Sequence, residues 1–335
     1  MVEDVVDLCF MNTYHMVVHP GAELVGDFGG LHKFTGRTRP IITDSGGFQI
    51  FSLAHGGVTQ ELKAKGKVIK GRAGATGRPK VTEEGVDFRS YRDGRRIFLT
   101  PETSVQAQKA LGADIIIPLD ELLPFHVSPQ RLEDSFERTH RWQTRSLVEH
   151  LADVRQQAMF GVVHGHLDRD MRTRSASYLA SLPFDGFAVG GSLGTLKSDM
   201  MDVVDVSVAT LAATADERPR HLLGIADVPS IAQCVALGID SFDSSFPTRL
   251  GRHGSLLHGD DGAVVHIKRG VFRDRRGAFD ADCACPMCTK YETAYIHHLF
   301  KQNETTAGAL ATLHNVHWMM RFMSRLRDRI RNGEL

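Results

Sequence analysis

In the stretch from Gly238 to Gly254, a short apolar run gives way at Asp243 to a loop broken by Pro247, Gly251 and Gly254. A carboxylate leaving a strand end can serve as a nucleophile, a base or a metal ligand. Arg249 and Arg252, just beyond it, suit an anionic substrate. An Asp before a turn is also a common structural device, because its oxygens accept from nearby backbone N–H groups. The same design recurs, however: Asp44, Asp120, His164 and the pair Gly190-Gly191 each close a short apolar run.

A second cluster lies further on. Cys283-x-Cys285-x-x-Cys288 offers three thiolates, and His314 follows at what reads as the start of a helix. Three sulfurs and one nitrogen make a closed tetrahedral zinc site with no open position, so this zinc, one per subunit, is expected to be structural. His297 and His298 compete as fourth ligand by spacing alone, and free thiols in a turn are the plain alternative. Cys9 and Cys234 sit singly in apolar surroundings, unlike a secreted disulfide framework.

The elements that must position these groups read as seven apolar runs: Leu8–His15, Pro40–Asp44, Asp114–Asp120, Met159–His164, Gly186–Gly190, His221–Ile225 and Ser241–Asp243. Most are separated by stretches long enough for a crossover helix, such as Thr103–Leu111 and Pro129–Val154. Serial strand-helix units predict an α/β fold, a (β/α)8 TIM barrel, and its C-terminal strand ends are the face where such barrels build their sites. A doubly wound sheet is the alternative, without a Gly-rich phosphate loop after the first strand to support it. Seven is one short of eight, so the first barrel strand is expected to precede Met1 or to be supplied irregularly. We expect one catalytic domain over 1–335, containing a basic loop at 55–80 and a zinc-binding subdomain at about 270–318.

Two insertions interrupt the repeat. Between Glu61 and Lys80 seven Lys and Arg residues face a single acid, as in a solvated surface loop or a phosphate-contacting arm. Asp93-Gly94, between two strand-like runs within Phe88–Phe98, signals a hairpin. Near the end of the chain, Trp318–Arg331 reads as a docked helix with a basic outer side. Lys plus Arg and Asp plus Glu are 40 each, so nucleic-acid binding would need local basic patches. The sequence has neither an apolar run of the ~20 residues that span a bilayer nor a secretory leader pattern, and a cytoplasmic location is expected.

Asp44-Ser-Gly-Gly-Phe-Gln-Ile-Phe-Ser52, Asp185–Gly191, Asp243 with Pro247-Thr-Arg249, and the Cys283/Cys285/Cys288/His314 set together resemble the tRNA-guanine transglycosylase family. Leu119–Phe125 and Gly190–Gly194 look closest to its chlamydial branch. The resemblance implies a (β/α)8 barrel with an attached zinc subdomain. The implied enzyme is a pentosyltransferase of queuosine modification that replaces guanine-34 with a 7-deazaguanine base, queuine or preQ1. Its substrates are tRNAs with a GUN anticodon, those for Asp, Asn, His and Tyr. By resemblance Asp243 is the nucleophile toward the ribose and Asp44 the general acid/base. Phe48 and Leu223 would sandwich the base, Asp120 would read its guanine-like edge, and Gly191 would donate to its carbonyl, with Ser45, His164, Gly190 and Ser192 completing the pocket. Arg249, Arg252 and Lys268 would meet tRNA, and the enzyme would act as a homodimer.

Departures from the family pattern surround the base. His164 stands where the family usually has glutamine, Leu122 where bacterial members usually have cysteine, and Ser192-Leu193 replace Leu-Ala. These changes lead us to expect a preference for queuine over preQ1. The family's first strand and hairpin, ahead of the segment matching Phe10-Met-Asn12, have no counterpart here. Two other functions compete: a non-catalytic tRNA-binding accessory subunit, disfavoured by the presence of both Asp44 and Asp243, and a barrel glycosidase with little use for Arg249, Arg252, Lys268 and Arg269.

Overall fold

The computed structural model describes residues 5–50, 79–124, 127–214 and 217–335. They divide into two compact units, one of residues 10–223 with 237–241, the other of residues up to 9, 224–236 and 242–335. The basic stretch expected between Glu61 and Lys80 lies, save its last two residues, outside the described residues.

Along the chain come β1 (Cys9–Met11), α1 (Thr13–Val18), α2 (Ala22–Asp27), α3 (Gly30–Thr35) and β2 (Ile41–Thr43). Three antiparallel strands follow: β3 (Lys80–Val81), β4 (Val86–Arg89) and β5 (Arg96–Leu99). Strands and helices then alternate: α4 (Pro101–Leu111), β6 (Ile115–Ile116), α5 (Pro129–Ala152), β7 (Ala158–Val163), α6 (Arg169–Ala180), β8 (Gly186–Val189), α7 (Lys197–Ala213), β9 (Arg220–Leu222), α8 (Val228–Leu237) and β10 (Ser241–Phe242). One seven-stranded sheet joins them in the order β1-β2-β6-β7-β8-β9-β10. Every pairing from β2 through β9 is parallel. The seven strands answer the seven apolar runs of the sequence, and no eighth is present among the described residues.

Local chemistry sets the helix ends. Thr100 and Thr103 form a capping box around Pro101 at the first helical position, and Gly112 closes α4 at φ 68°. Ser128 caps α5, again with Pro at its first position. Asn12 accepts from His15 N and starts a helix inside what reads as one strand, so the Leu8–His15 run is a strand followed by a helical turn.

Between the helices and the sheet lies a core that includes Ile41, Val105, Leu111, Ile116, Leu147, Met159, Val163, Leu179 and Phe187. Each such buried side chain contributes about 1.5–3 kcal/mol. Two buried glutamines latch helices to strands. Gln108 of α4 accepts from Ile117 N and donates to Ile117 O, at 3.0 and 2.9 Å. Gln143 of α5 does the same to Val162 of β7, at 2.7 and 2.8 Å.

The smaller unit holds α9 (Phe246–Arg252), the hairpin β11 (Ser255–His258) and β12 (Ala263–His266), and the helices α10 (Pro286–Lys290), α11 (Thr293–Lys301) and α12 (Thr305–Arg331). Asn315 ties them, donating to Pro247 O and Ser255 O and accepting from Leu257 N at 2.9–3.0 Å. His314 therefore lies in the middle of a 27-residue helix, not at a helix start as its sequence suggested. The basic side of that helix is largely engaged: Arg321 pairs with Asp280, Arg327 with Asp7, and Arg325 approaches Asp260. Among the described residues no helix is long and apolar enough to cross a membrane.

Candidate active site and metal centre

Asp44 leaves the end of β2, and both its oxygens are held. Asn12 Nδ2 donates to Oδ2 and Thr13 N to Oδ1, each at 2.7 Å. Thr13 opens α1, so the carboxylate occupies one of the amides that a helix start leaves unpaired. The turn after it is packed closely. Ser45 Oγ donates to Asp120 Oδ1 at 3.2 Å and accepts from Gly47 N at 3.3 Å. A Cβ at Gly47 would sit 2.7 Å from Asp120 O, so only glycine fits there. Phe48, on the next turn, is 46% exposed.

Asp120, four residues beyond β6, and His164, directly after β7, face each other with side chains 10% and 8% exposed. His164 Nε2 lies 3.1 Å from Asp120 Oδ2, near enough for pairing but off the line of a hydrogen bond. Each is anchored from behind. Next to Asp120, Glu121 is buried with its carboxylate between Arg131 and Arg138 of α5, and its N–H donates to Thr139. His164 N donates to Ser175 Oγ at 3.0 Å, and that hydroxyl also lies 3.0 Å from His140 Nε2. That hydroxyl accepts from His164 N and keeps its own proton, which a neutral His140 Nε2 is placed to accept. Burial pushes the pKa of His140 down to about 4, which agrees with that assignment.

The loops after β7 and β8 are fastened to one another by Arg172 of α6, which is fully buried. Its Nη1 donates to Val163 O and Gly190 O at 2.8 Å, Nη2 to Ser192 O at 3.0 Å, and Nε to His166 O at 2.9 Å. Burial lowers its pKa to about 9, which still leaves it charged at neutral pH. Gly191 adopts φ +75°, and a Cβ there would approach His164 Nδ1 to 3.3 Å. A Cβ at Gly190 would lie 3.0 Å from Leu223 Cδ1. Ser45, Asp120, His164, Gly191, Gly190 and Leu223 thus form one continuous wall. Behind it a cavity of about 30 Å³ is lined by Leu122, Phe136, Thr139, His164, His166 and Ser192 among others.

In the smaller unit Asp243 follows β10 and accepts from Gly224 N at 2.9 Å, with Gly224 at φ +78°. Arg249 and Arg252 lie exposed on α9, and Lys268 Nζ stands 5.6 Å from the centre of the Phe300 ring.

Cys283, Cys285, Cys288 and His314 are all buried and bring their ligand atoms within 4.8 Å of one another. His314 Nδ1 lies 3.3 Å from Cys288 Sγ and 3.6 Å from Cys285 Sγ. Its Nε2 must donate to Leu257 O at 2.9 Å, because a carbonyl only accepts. The other nitrogen is thereby left to face the sulfurs, the second contact that orients a metal-bound imidazole. Cys3His donors with this spacing can hold a metal ion, whereas His297 turns its Nδ1 to Ile267 O.

A family profile described as queuine tRNA-ribosyltransferase matches residues 1–335. The chain belongs to the queuine tRNA-ribosyltransferase family. A protein of that name from Chlamydia muridarum is 51% identical over 331 residues, covering 98% of this chain and 87% of the relative. Those from Protochlamydia amoebophila and Chlamydia caviae are 50% and 49% identical over 98% of the chain, and 83% and 87% of their own lengths. The tRNA-guanine transglycosylase resemblance and its chlamydial colouring are borne out by these matches.

Four supporting residues of this family member escape a motif reading: Asn12, Glu121, His140 and Arg172. Arg172 left a signal. With Ser175, Ala176 and Leu179 it falls at i, i+3, i+4 and i+7, the spacing of a buried helix face.

Proposed function

We propose that this protein exchanges guanine-34 of tRNA for a 7-deazaguanine base in queuosine modification, as one catalytic domain. The observation that carries the reading is the wall from Ser45 to Leu223, with Asp44 bonded at both oxygens beside it. A purine edge presents adjacent donors and an acceptor. Asp120 can accept the donors, and the N–H of Gly191 can serve the carbonyl. A target base reaches such a wall only after leaving its stack, with Phe48 and Leu223 as its two faces.

Chemistry then requires two displacements. Asp243 attacks the ribose anomeric carbon while the bond to the guanine nitrogen breaks, and the leaving nitrogen takes a proton from Asp44. The incoming base gives its proton to Asp44 and displaces Asp243, so the sugar keeps its configuration and the RNA backbone stays intact. Arg249, Arg252 and Lys268 are assigned to tRNA phosphates. Zinc is the ion we assign to Cys283, Cys285, Cys288 and His314. It would supply folding energy to the smaller unit and take no part in the reaction. GUN-anticodon tRNAs as substrate, a homodimer and a cytoplasmic location complete the reading.

Within this reading we assign queuine rather than preQ1 as the preferred base. Leu122, His164 and Ser192 line the cavity behind the wall, which offers apolar and hydrogen-bonding surface together. The ratio of kcat/KM for the two bases decides it, and a clear preQ1 preference would sink the assignment.

The exchange itself is tested by radiolabelled guanine incorporation into unmodified GUN-anticodon tRNA. Label should enter with the native chain and not with Asp243→Asn. Incorporation by Asp243→Asn at the native rate would remove the nucleophile from the scheme.

A further inference from the structure

From the geometry of the hairpin β4–β5 we infer a second RNA contact, in which Tyr91 and Arg92 at its tip receive loop nucleotides of the RNA substrate. This inference rests on the proposed tRNA reaction.

The tip is rigid and fixed in place. Ser90 is buried, its N–H donates to Arg95 O at 2.9 Å, and its hydroxyl accepts from Arg92 N and Asp93 N. Gly94, at φ 73°, donates to Ser90 O at 3.0 Å. Arg95 reaches across to the carbonyls of Val17 and Val18, at 2.9 and 3.1 Å, and so pins the tip to the end of α1. The start of α1 is the group that holds Asp44. Tyr14 of the same helix lies against Gly46, where an added Cβ would meet its backbone and Cβ at about 3.4 Å. One short helix thus connects the hairpin tip to the residue assigned to proton transfer.

On that rigid tip, a large aromatic ring is left open. Tyr91 is 54% exposed although one face stacks on Tyr14, with centroids 6.1 Å apart and planes at 24°. His15 meets it edge-on at 6.0 Å and faces its hydroxyl at 3.4 Å. A ring held on one side and open on the other needs little further ordering to stack a base. The charge around it has the right sign: Arg89, Arg92, Arg95 and Arg96 stand against Asp87 and Asp93. Arg96 is neutralised by Asp87, Arg95 lies 3.6 Å from Asp93, and Arg89 donates to Gly94 O. Arg92 is exposed and has no side-chain hydrogen bond or ion pair among the described residues. A free guanidinium beside an open aromatic face matches a single-stranded phosphodiester with unstacked bases, which is what an anticodon loop presents.

The test uses the full chain, an anticodon stem-loop RNA and the complete tRNA. Tyr91→Ala should raise KM for tRNA about tenfold, within the range that base–aromatic stacking spans, and leave KM for free guanine unchanged. Tyr91→Phe should keep native values. Arg92→Ala should weaken binding of the stem-loop and lower its logarithmic salt slope by about 0.7, the value for one phosphate of a single strand. Unchanged KM for tRNA and unchanged stem-loop affinity in both variants would overturn the contact. So would a native chain that binds no stem-loop, or variants that alter only the oligomeric state in light scattering, which would make the tip a contact between copies of this chain. A native chain that binds the stem-loop but exchanges no guanine would remove the reaction while leaving the contact to be read from affinity alone.

Discussion

Arg172 Nη1 lies 2.8 Å from the carbonyl oxygen of Gly190, and through that bond the helix α6 holds the loop that follows β8. The same guanidinium serves three other carbonyls and no carboxylate among the described residues. Arg172→Met should therefore strand several buried acceptors and cost about 2–4 kcal/mol of stability. Arg172→Lys keeps the charge but not the planar fork, so it should fold and yet bind the base more weakly. Thermal unfolding and hydrogen exchange at the amides of 190–192 would report both effects.

Asn12 provides one of the two bonds that orient Asp44. Asn12→Ala should lower kcat roughly tenfold with little change in KM for tRNA, as expected when a reacting group loses its alignment. Asn12→Asp should be worse, since it sets a carboxylate where the 2.7 Å donor was. Single-turnover kinetics would separate this loss of chemistry from a loss of binding.

His140 makes part of the protein's stability depend on acidity. Its pKa falls from 6.5 to about 4 on burial, so the neutral ring favours the folded state. That contribution is complete above pH 6.5 and is lost as the pH falls toward 4, at most about 3 kcal/mol. Protonation would also turn both ring nitrogens of His140 into donors beside Ser175, whose hydroxyl anchors His164 N. Melting temperature measured from pH 7 to pH 4 should fall less steeply in His140→Gln than in the native chain.

Removing the metal should unfold the smaller unit rather than merely slow the reaction. One zinc per chain is expected by elemental analysis. A strong chelator, or Cys288→Ser, should abolish cooperative melting of that unit, because the three thiols and His314 Nδ1 converge on one another within the apolar core of Phe272, Phe279 and Ile296. Activity loss with an unchanged melting curve would argue instead for a metal that participates in the chemistry.

The readable parts of the sequence were those in which side-chain type alone implies a geometry. Asp44, His164, Gly190 and Asp243 each sit where an apolar run stops, and the structure puts each directly after a strand of the sheet. The cysteine spacing identified the cluster, and Asp93-Gly94 the hairpin. The unreadable parts depended on distance along the chain. Asn12 meets Asp44 across 32 positions, and Gln143 reaches Val162 across 19, contacts that no local pattern encodes. His314 reads as lying near a helix start because Gly308 interrupts the helical pattern just after the true start at Thr305. The cap at Asn12 went unread because Leu8–His15 is apolar enough to pass as a strand throughout.

Every atom that Arg172 grips in the two loops belongs to the main chain. Their path is consequently indifferent to which side chains they display. Positions 164 and 192 can change identity while the frame that presents them stays still, so under the proposed function a changed base preference would need no rebuilt scaffold.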